Sequence, residues 1–254
     1  MSVTFERRDH VAVFTINRPE ARNAVNGAVA QGFDEALDAL EEDADLWVGV
    51  VTGAGTTFCA GADLKEIAAG NQNTLATKRG GFAGFVQRKR TKPVIAAVGG
   101  PAVAGGCEIA LACDMIVASE NAVFGLPEVK RSLVAVAGAL IRLPRVIGMG
   151  PAMEMILTGE PVTATRAYEL GLVNRLAPEG QALDEALRLA ATIAANAPLA
   201  VQASRNLAAR AFVDDEETLW QAGFEEFMKV LGSEDAKEGP RAFIEKRAPK
   251  WQAK

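Results

Sequence analysis

Short apolar runs recur along the first half of this chain, each too brief for a helix and each followed by small or turn-forming residues. Val11-Ala12-Val13-Phe14-Thr15-Ile16 stops at Asn17-Arg18-Pro19, and Leu46 to Val51 is followed by Thr52-Gly53. Pro93-Val94-Ile95-Ala96-Ala97-Val98 closes on Gly99-Gly100-Pro101, and Met115 to Ala118 is a fourth run. Runs of this length, rich in Val and Ile and bounded by Gly and Pro, are buried strands. Helical periodicity lies between them. From Val25 to Leu40, apolar Val29, Phe33, Leu37 and Leu40 recur at three- and four-residue spacing, and Cys107 to Ala112 forms a compact helix. Strands alternating with helices make the chain α/β.

After about Pro198 the strand signals cease. Ala200 to Phe212 and Asp214 to Leu231 are helical, the latter with a stripe of Leu219, Phe224, Phe227 and Leu231. In Glu238-Gly239-Pro240 the glycine is expected to end one turn and the proline to open the next helix. The expected organisation is an α/β body over residues 1–197 and a helical region over 198–254.

Bulk properties exclude several classes of function. The 254 residues carry a net charge of −5, which argues against nucleic acid as the main partner. No apolar run reaches the roughly 20 residues of a membrane span. The N-terminal segment lacks the basic-then-apolar order of a secretory signal, so a cytoplasmic protein is expected. Cys59, Cys107 and Cys113 sit among apolar neighbours without a C-x-x-C pair, and are expected to be buried free thiols. His10 is the single histidine, expected to be structural or exposed. Histidine triads and histidine-rich metal sites are therefore hard to build, and acid–base work falls to carboxylates, Lys, Tyr or Cys.

Three segments could carry chemistry. Phe58-Cys59-Ala60-Gly61-Ala62-Asp63-Leu64-Lys65 places small residues just ahead of a charge. Val103-Ala104-Gly105-Gly106-Cys107-Glu108 follows a strand and opens a helix, where exposed backbone N–H groups favour negative charge. Phe124-Gly125-Leu126-Pro127-Glu128 stiffens the chain immediately before an acid. Singly, each has a plain structural explanation, since a glycine pair ahead of a helix commonly serves tight packing. Gly105-Gly106 falls short of a dinucleotide fingerprint, and no Walker motif occurs. Glu108 has Ala104, Cys107, Ile109 and Ala110 around it in sequence, an apolar setting that raises a carboxyl pKa. A second acid nearby would push the two apart.

In this order the segments resemble the crotonase, or enoyl-CoA hydratase/isomerase, superfamily over nearly the whole chain. Asn17 to Ala24 resembles N-R-P-x-x-x-N-A, and Phe58 to Leu64 matches F-x-A-G-x-D-L. Lys92 to Glu108 is similar to K-P-V-I-A-A-V-x-G-x-A-x-G-G-G-x-E, and Phe124 to Glu128 matches F-G-x-P-E. Ser233 to Arg247 resembles the ending S-E-D-x-x-E-G-x-x-A-F-x-E-K-R. The resemblance implies a spiral of ββα units with a C-terminal helical trimerisation region, assembled as a homotrimer or a dimer of trimers. It implies an acyl-CoA thioester as substrate and no metal or redox cofactor. The amides of Ala62 and Gly105 are implied as an oxyanion hole, and Glu108 and Glu128 as the catalytic pair, with Glu108 as base toward water and Glu128 as acid at Cα. Arg22, Ala60, Asp63, Leu64, Lys65 and Val136 are implied as substrate or CoA contacts, with Phe243 and Lys246 closing a neighbour's CoA site.

Two acids favour syn addition of water to a 2-trans-enoyl-CoA, giving a 3-hydroxyacyl-CoA. The alternatives are a carnitinyl-CoA dehydratase, an enoyl-CoA isomerase, or a non-catalytic acyl-CoA-binding protein. Gly80 to Gly84, Arg142-Leu143-Pro144 and Lys250-Trp251 resemble the carnitinyl branch. Ser132, Ala135, Val136 and Ala139 depart from the hydratase pattern G-x-I-P-G-A-G-G-x-x-R-L. Val136 stands where a glycine N–H helps hold the catalytic water, and its side chain is expected to narrow the acyl pocket.

Overall fold

The computed structural model describes residues 1–254. An antiparallel hairpin of β1 (Val3–Arg8) and β2 (Val11–Ile16) leads to α1 (Gly27–Glu42). The side chain of Asn26 caps α1 by accepting from the Val29 N–H, which starts the helix two residues later than its periodicity implies. At its other end the buried ammonium of Lys92 donates to the carbonyls of Leu40 and Asp43, both at 2.7 Å, satisfying groups a helix C-terminus leaves open. Next comes β3 (Val48–Gly53). It begins at Val48 because Trp47 and Val48 both donate to the His10 carbonyl, while the Trp47 ring stacks on His10 at 3.6 Å. The lone histidine is thus a structural one.

The chain continues through α2 (Leu64–Ala68), the short pair β4 (Ala76–Thr77) and β5 (Gly81–Phe82), β6 (Val94–Val98), β7 (Ala102–Val103), α3 (Gly105–Ala112), β8 (Met115–Ser119) and β9 (Val123–Gly125). A 3-10 turn spans Pro127–Arg131. Residues 139–194 hold four helices and two strands that periodicity did not mark: α4 (Ala139–Ile147), α5 (Met149–Thr158), β10 (Val162–Thr163), α6 (Ala164–Glu169), β11 (Arg175–Ala177) and α7 (Ala182–Ala194).

The main sheet has the order β1-β2-β3-β6-β8-β11, parallel from β2 onward. Its central strands are buried on both faces, as parallel strands are. One face packs against the large core containing α1, α3 and α4, and α7 covers the other through Ala186, Leu189 and Ala190. A second, narrower ladder runs beside the first. Val25 bridges Ala62, Cys59 bridges Ala102, and β7 pairs with β9, all in parallel, before β9 meets β10 antiparallel. Each turn of chain therefore supplies a strand to the main sheet, a rung to the second ladder and then a helix. This is the spiral of ββα units.

Three helices complete the chain: α8 (Pro198–Ala208), α9 (Glu216–Leu231) and α10 (Glu234–Ile244). Here the structure corrects an expectation, because α10 runs straight through Gly239-Pro240. The returning C-terminal segment holds the turns of α10 that lead into the proline. Asp235 accepts from the amides of Gln252 and Ala253, Glu238 pairs with Arg247, and Trp251 packs beside Gly239, where a Cβ would meet its ring at 3.4 Å. Trp251 also donates to the Ala195 carbonyl at 2.8 Å, tying the tail to the body. No helix is long and apolar enough to cross a membrane.

Candidate active site

Successive rungs of the second ladder deliver the three small-residue segments to one place. Ala62 lies on one rung, Gly105 follows β7 on the next, and Glu128 follows β9 on the third. They open on a cleft of about 1050 Å³. The ten residues expected at this chain's own site line it: Arg22, Ala60, Ala62, Asp63, Leu64, Lys65, Gly105, Glu108, Glu128 and Val136; Phe243 and Lys246, expected at a neighbour's site, do not.

The small residues have a double cause. Gly106 lies so close to the adjacent rung that a Cβ would sit 2.0 Å from the Cys59 carbonyl oxygen, so this glycine serves packing. Gly61, at φ +89°, would place a Cβ 2.8 Å from the Ala104 methyl and 2.9 Å from the Gly105 nitrogen. Residues 61–62 and 105 are therefore pressed together. The N–H groups of Ala62 and Gly105 donate to no other group of the protein, and unpaired amides of this kind await a ligand acceptor or water. Ala104, immediately before Gly105, stands where the motif has the first of its three consecutive glycines. It adopts φ 52°, ψ −132°, a region that disfavours any side chain. Its N–H bonds the Gly125 carbonyl at 2.9 Å and its carbonyl accepts from Glu108, which holds the strained turn on both sides.

Glu108 projects from the first turn of α3 and is 3% exposed. Burial pushes its carboxyl up to about 7. Three groups oppose that rise: the Ala139 N–H, which donates to Oε1 at 3.1 Å, the Ala137 amide and the charge of Arg142. Glu128 adds to the rise through its own charge, so the carboxyls interact. Burial likewise raises the Glu128 carboxyl, with Arg131 opposing, and its Oε2 is buried without a partner.

Several other residues have placements that motif matching alone leaves undefined. Asp63 lines the cleft, yet its carboxylate is engaged by Arg18 at 3.1 Å and caps α2 by accepting from the Lys65 amide. Arg18 in turn donates to the Ala24 carbonyl, so this half-buried pair holds the Ala62 rung against the first turn of the spiral. Arg22 and Lys65 line the cleft without ion-pair partners. Val136 lines the cleft and is 80% exposed. Its N–H donates to the Val134 carbonyl at 2.9 Å, so the amide that the motif offers to a catalytic water is already used. The tight turn between Val134 and Val136 is the cause. Cys59 and Cys107 are buried as expected, while Cys113 is half-buried, and all three are free. Burial holds the Cys59 and Cys113 thiols up at about 12, so none is a ready nucleophile. No three His, Cys, Asp or Glu side chains are grouped to hold a metal ion.

Over residues 6–254 the chain matches the model of the family described as enoyl-CoA hydratase/isomerase. The chain belongs to the enoyl-CoA hydratase/isomerase family. It is 44% identical to the enoyl-CoA hydratase EchA19 of Mycobacterium tuberculosis, covering 97% of this chain and 95% of that protein. It is 38% identical to a carnitinyl-CoA dehydratase of Proteus mirabilis, covering 100% and 99%. The crystal structure of an enoyl-CoA hydratase from M. tuberculosis superposes with a TM-score of 0.96 at 48% identity, over 100% of this chain and 99% of that one. Arg18, Phe82, Ala104 and Arg142 belong to this family member's cleft or its immediate support, although the sequence does not single them out as site residues. Arg18 lies within the N-R-P motif, but nothing in its spacing points to Asp63.

Proposed function

We propose that this protein adds water reversibly across the double bond of a 2-trans-enoyl-CoA, giving a 3-hydroxyacyl-CoA. The observation that carries the proposal is the meeting of two unpaired amides with two interacting, burial-raised carboxyls on one cleft. The amides of Ala62 and Gly105 hold the thioester oxygen, and their hydrogen bonds strengthen as charge moves onto it. Oxyanion donors of this kind contribute about 3 kcal/mol each in acyl-transfer enzymes.

A base that operates near neutral pH is most effective with a pKa near that pH, and Glu108 at about 7 meets this condition. Glu108 takes a proton from water as the oxygen bonds to Cβ. The electron pair of the double bond moves through Cα into the thioester as an enolate. Glu128 then returns a proton to Cα. The pair holds one proton before and after the addition and two while the enolate stands, since Glu108 gains water's proton before Glu128 gives up its own; the two titrate as a unit. Acid–base work by the carboxyls requires no metal or redox group, and coenzyme A arrives with the substrate.

Arg22 and Lys65, free cations at the cleft, are suited to the CoA phosphates. Ala60 and Leu64 lie on the same wall. Phe82 is the one aromatic ring on the lining, which offers little for a trimethylammonium group and sets the carnitinyl substrate second. The apolar stripe of α9, with Trp220, Phe224 and Phe227 each more than half exposed, supports a homo-oligomer formed through the helical region. Three unpaired cysteines accord with a cytoplasmic setting.

The test is a panel of 2-enoyl-CoAs that includes crotonobetainyl-CoA, with hydration followed for wild type, Glu108→Gln and Glu128→Gln. Turnover is expected to fall at least ~100-fold in each variant while acyl-CoA binding persists. Binding without conversion by wild type would instead identify an acyl-CoA-binding protein.

A further inference from the structure

Arg142 is an uneconomical residue by stability alone. It lies in α4, half-buried, and makes no ion pair. Burial and the neighbouring Arg90 both lower its pKa. Arg90 has a side chain only 4% exposed; it pairs with Asp114 at 3.7 Å and donates to the Ala112 carbonyl, yet one buried guanidinium nitrogen lacks any partner. Two like charges withdrawn from water beside each other oppose folding. The groups that favour the charged form of Arg142 are Glu108 and Cys113, and Glu108 is in the cleft.

The guanidinium folds back over the start of its own helix. One nitrogen donates to the Ala137 carbonyl at 3.3 Å and another to the Val86 carbonyl at 2.5 Å. It fills the space over Gly138, where a Cβ would fall 1.9 Å from Nη1 and where φ is +117°. The turn so clamped, Ala137-Gly138-Ala139, is the one whose amides support the Glu108 carboxylate. Val86 and Ala137 both line the cleft, on segments far apart in sequence. A single side chain therefore joins those two segments and holds the amides of one toward a buried acid.

We propose that Arg142 is a positioning residue for Glu108, fixing the 137–139 turn against Val86 so that its amides and the guanidinium charge together hold the carboxylate in place. The proposal rests on the hydratase reading and deepens it. Around Glu108 the charged and titratable groups are Glu128 on the 3-10 turn, Arg142 on α4 and Cys107 beside it on α3. Behind Arg142 lie Arg90, Cys113 and Arg145. Losing the guanidinium removes a positive charge and loosens two donors, and both changes disfavour the ionised Glu108. The acid limb of the kcat profile therefore moves to higher pH.

The experiment compares Arg142→Met and Arg142→Lys with wild type for kcat, KM and the pH dependence of kcat on a 2-enoyl-CoA. Arg142→Met is expected to lower kcat at least ~10-fold with KM within ~3-fold, the pattern of a lost transition-state interaction, and to raise the acid limb. Arg142→Lys retains the charge but has no fork to span two carbonyls, so the limb moves less while kcat still falls. Should the methionine variant fail to fold, the lysine variant decides the matter. A kcat equal to wild type, or a loss confined to KM, overturns the proposal, as does an unmoved acid limb in a folded methionine variant. Infrared titration of the Glu108 carboxyl, with Glu108→Gln as blank, gives a readout independent of turnover. Its midpoint rises in the Arg142 variants even if wild type proves not to hydrate, an outcome that would sink the hydratase reading alone, whereas an unmoved midpoint sinks the Arg142 proposal.

Discussion

Replacing Glu108 by Gln should abolish hydration and, above neutral pH, make the protein more stable. A carboxyl held near 7 in the folded chain has an ordinary value of 4.5. Between those limits the folded state binds more protons than the unfolded one, so stability falls as pH rises through the window. At about 1.4 kcal/mol per pH unit of displacement, the full loss amounts to about 3 kcal/mol once pH exceeds 7. Glu108 is 3% exposed, so solvent screening does little to reduce this figure. Glutamine keeps an oxygen for the Ala139 amide and cannot ionise, so the variant escapes the loss. Urea unfolding at pH 5 and pH 8.5, at one protein concentration, reads the effect. Wild type should lose about 2.5 kcal/mol relative to Glu108→Gln between the two conditions, part of the full loss having already occurred by pH 5. Parallel pH dependences for the two proteins would refute the claim that burial controls this carboxyl.

Gly106→Ala should destabilise the protein by about 3 kcal/mol and lower kcat, because its Cβ would force the Cys59 rung away and carry the Gly105 amide with it; thermal melts and kinetics check both. Arg88→Met removes one of two arginines paired with Asp34 and Asp38, Arg79 remaining on both, and denaturation should show a loss of about 1 to 2 kcal/mol. Phe224→Ser combined with Phe227→Ser should shift the protein to a smaller species in sedimentation velocity while far-ultraviolet circular dichroism stays unchanged.

The strand runs are legible because Val, Ile and small residues in unbroken sequence leave few alternatives to burial on both faces. The second ladder is not, since Val25, Cys59 and Ala62 contribute single bridges with no periodicity of their own. The 139–194 region was not legible because its strands, Val162–Thr163 and Arg175–Ala177, span two and three residues, and because α7, though long, buries mainly alanines (Ala182, Ala186, Ala190), which give little hydrophobic contrast. Pro240 misled through local preference: a returning tail, set by Asp235, Glu238 and Trp251, outweighs it. At the site, the motifs located the amides and acids, while the supports were hidden. Arg18 reaches Asp63 across 45 residues and Arg142 reaches Val86 across 56, distances over which spacing in sequence carries no information. Val136 was legible as a departure, but the turn that ties up its amide was not.

The ladder of rungs also bears on how such a protein changes over evolutionary time. The anion-holding geometry proposed for the Ala62 and Gly105 amides resides in main chain locked between successive turns, and no side-chain exchange at Glu108 or Glu128 needs to disturb it. The proposed acids stand three residues beyond Gly105 in the first turn of α3 and in the 3-10 turn, where a codon change would alter the chemistry and leave that main chain intact. A lineage built this way can try new reactions on the same activated thioester one side chain at a time, because the costliest part to invent is stored in backbone connectivity.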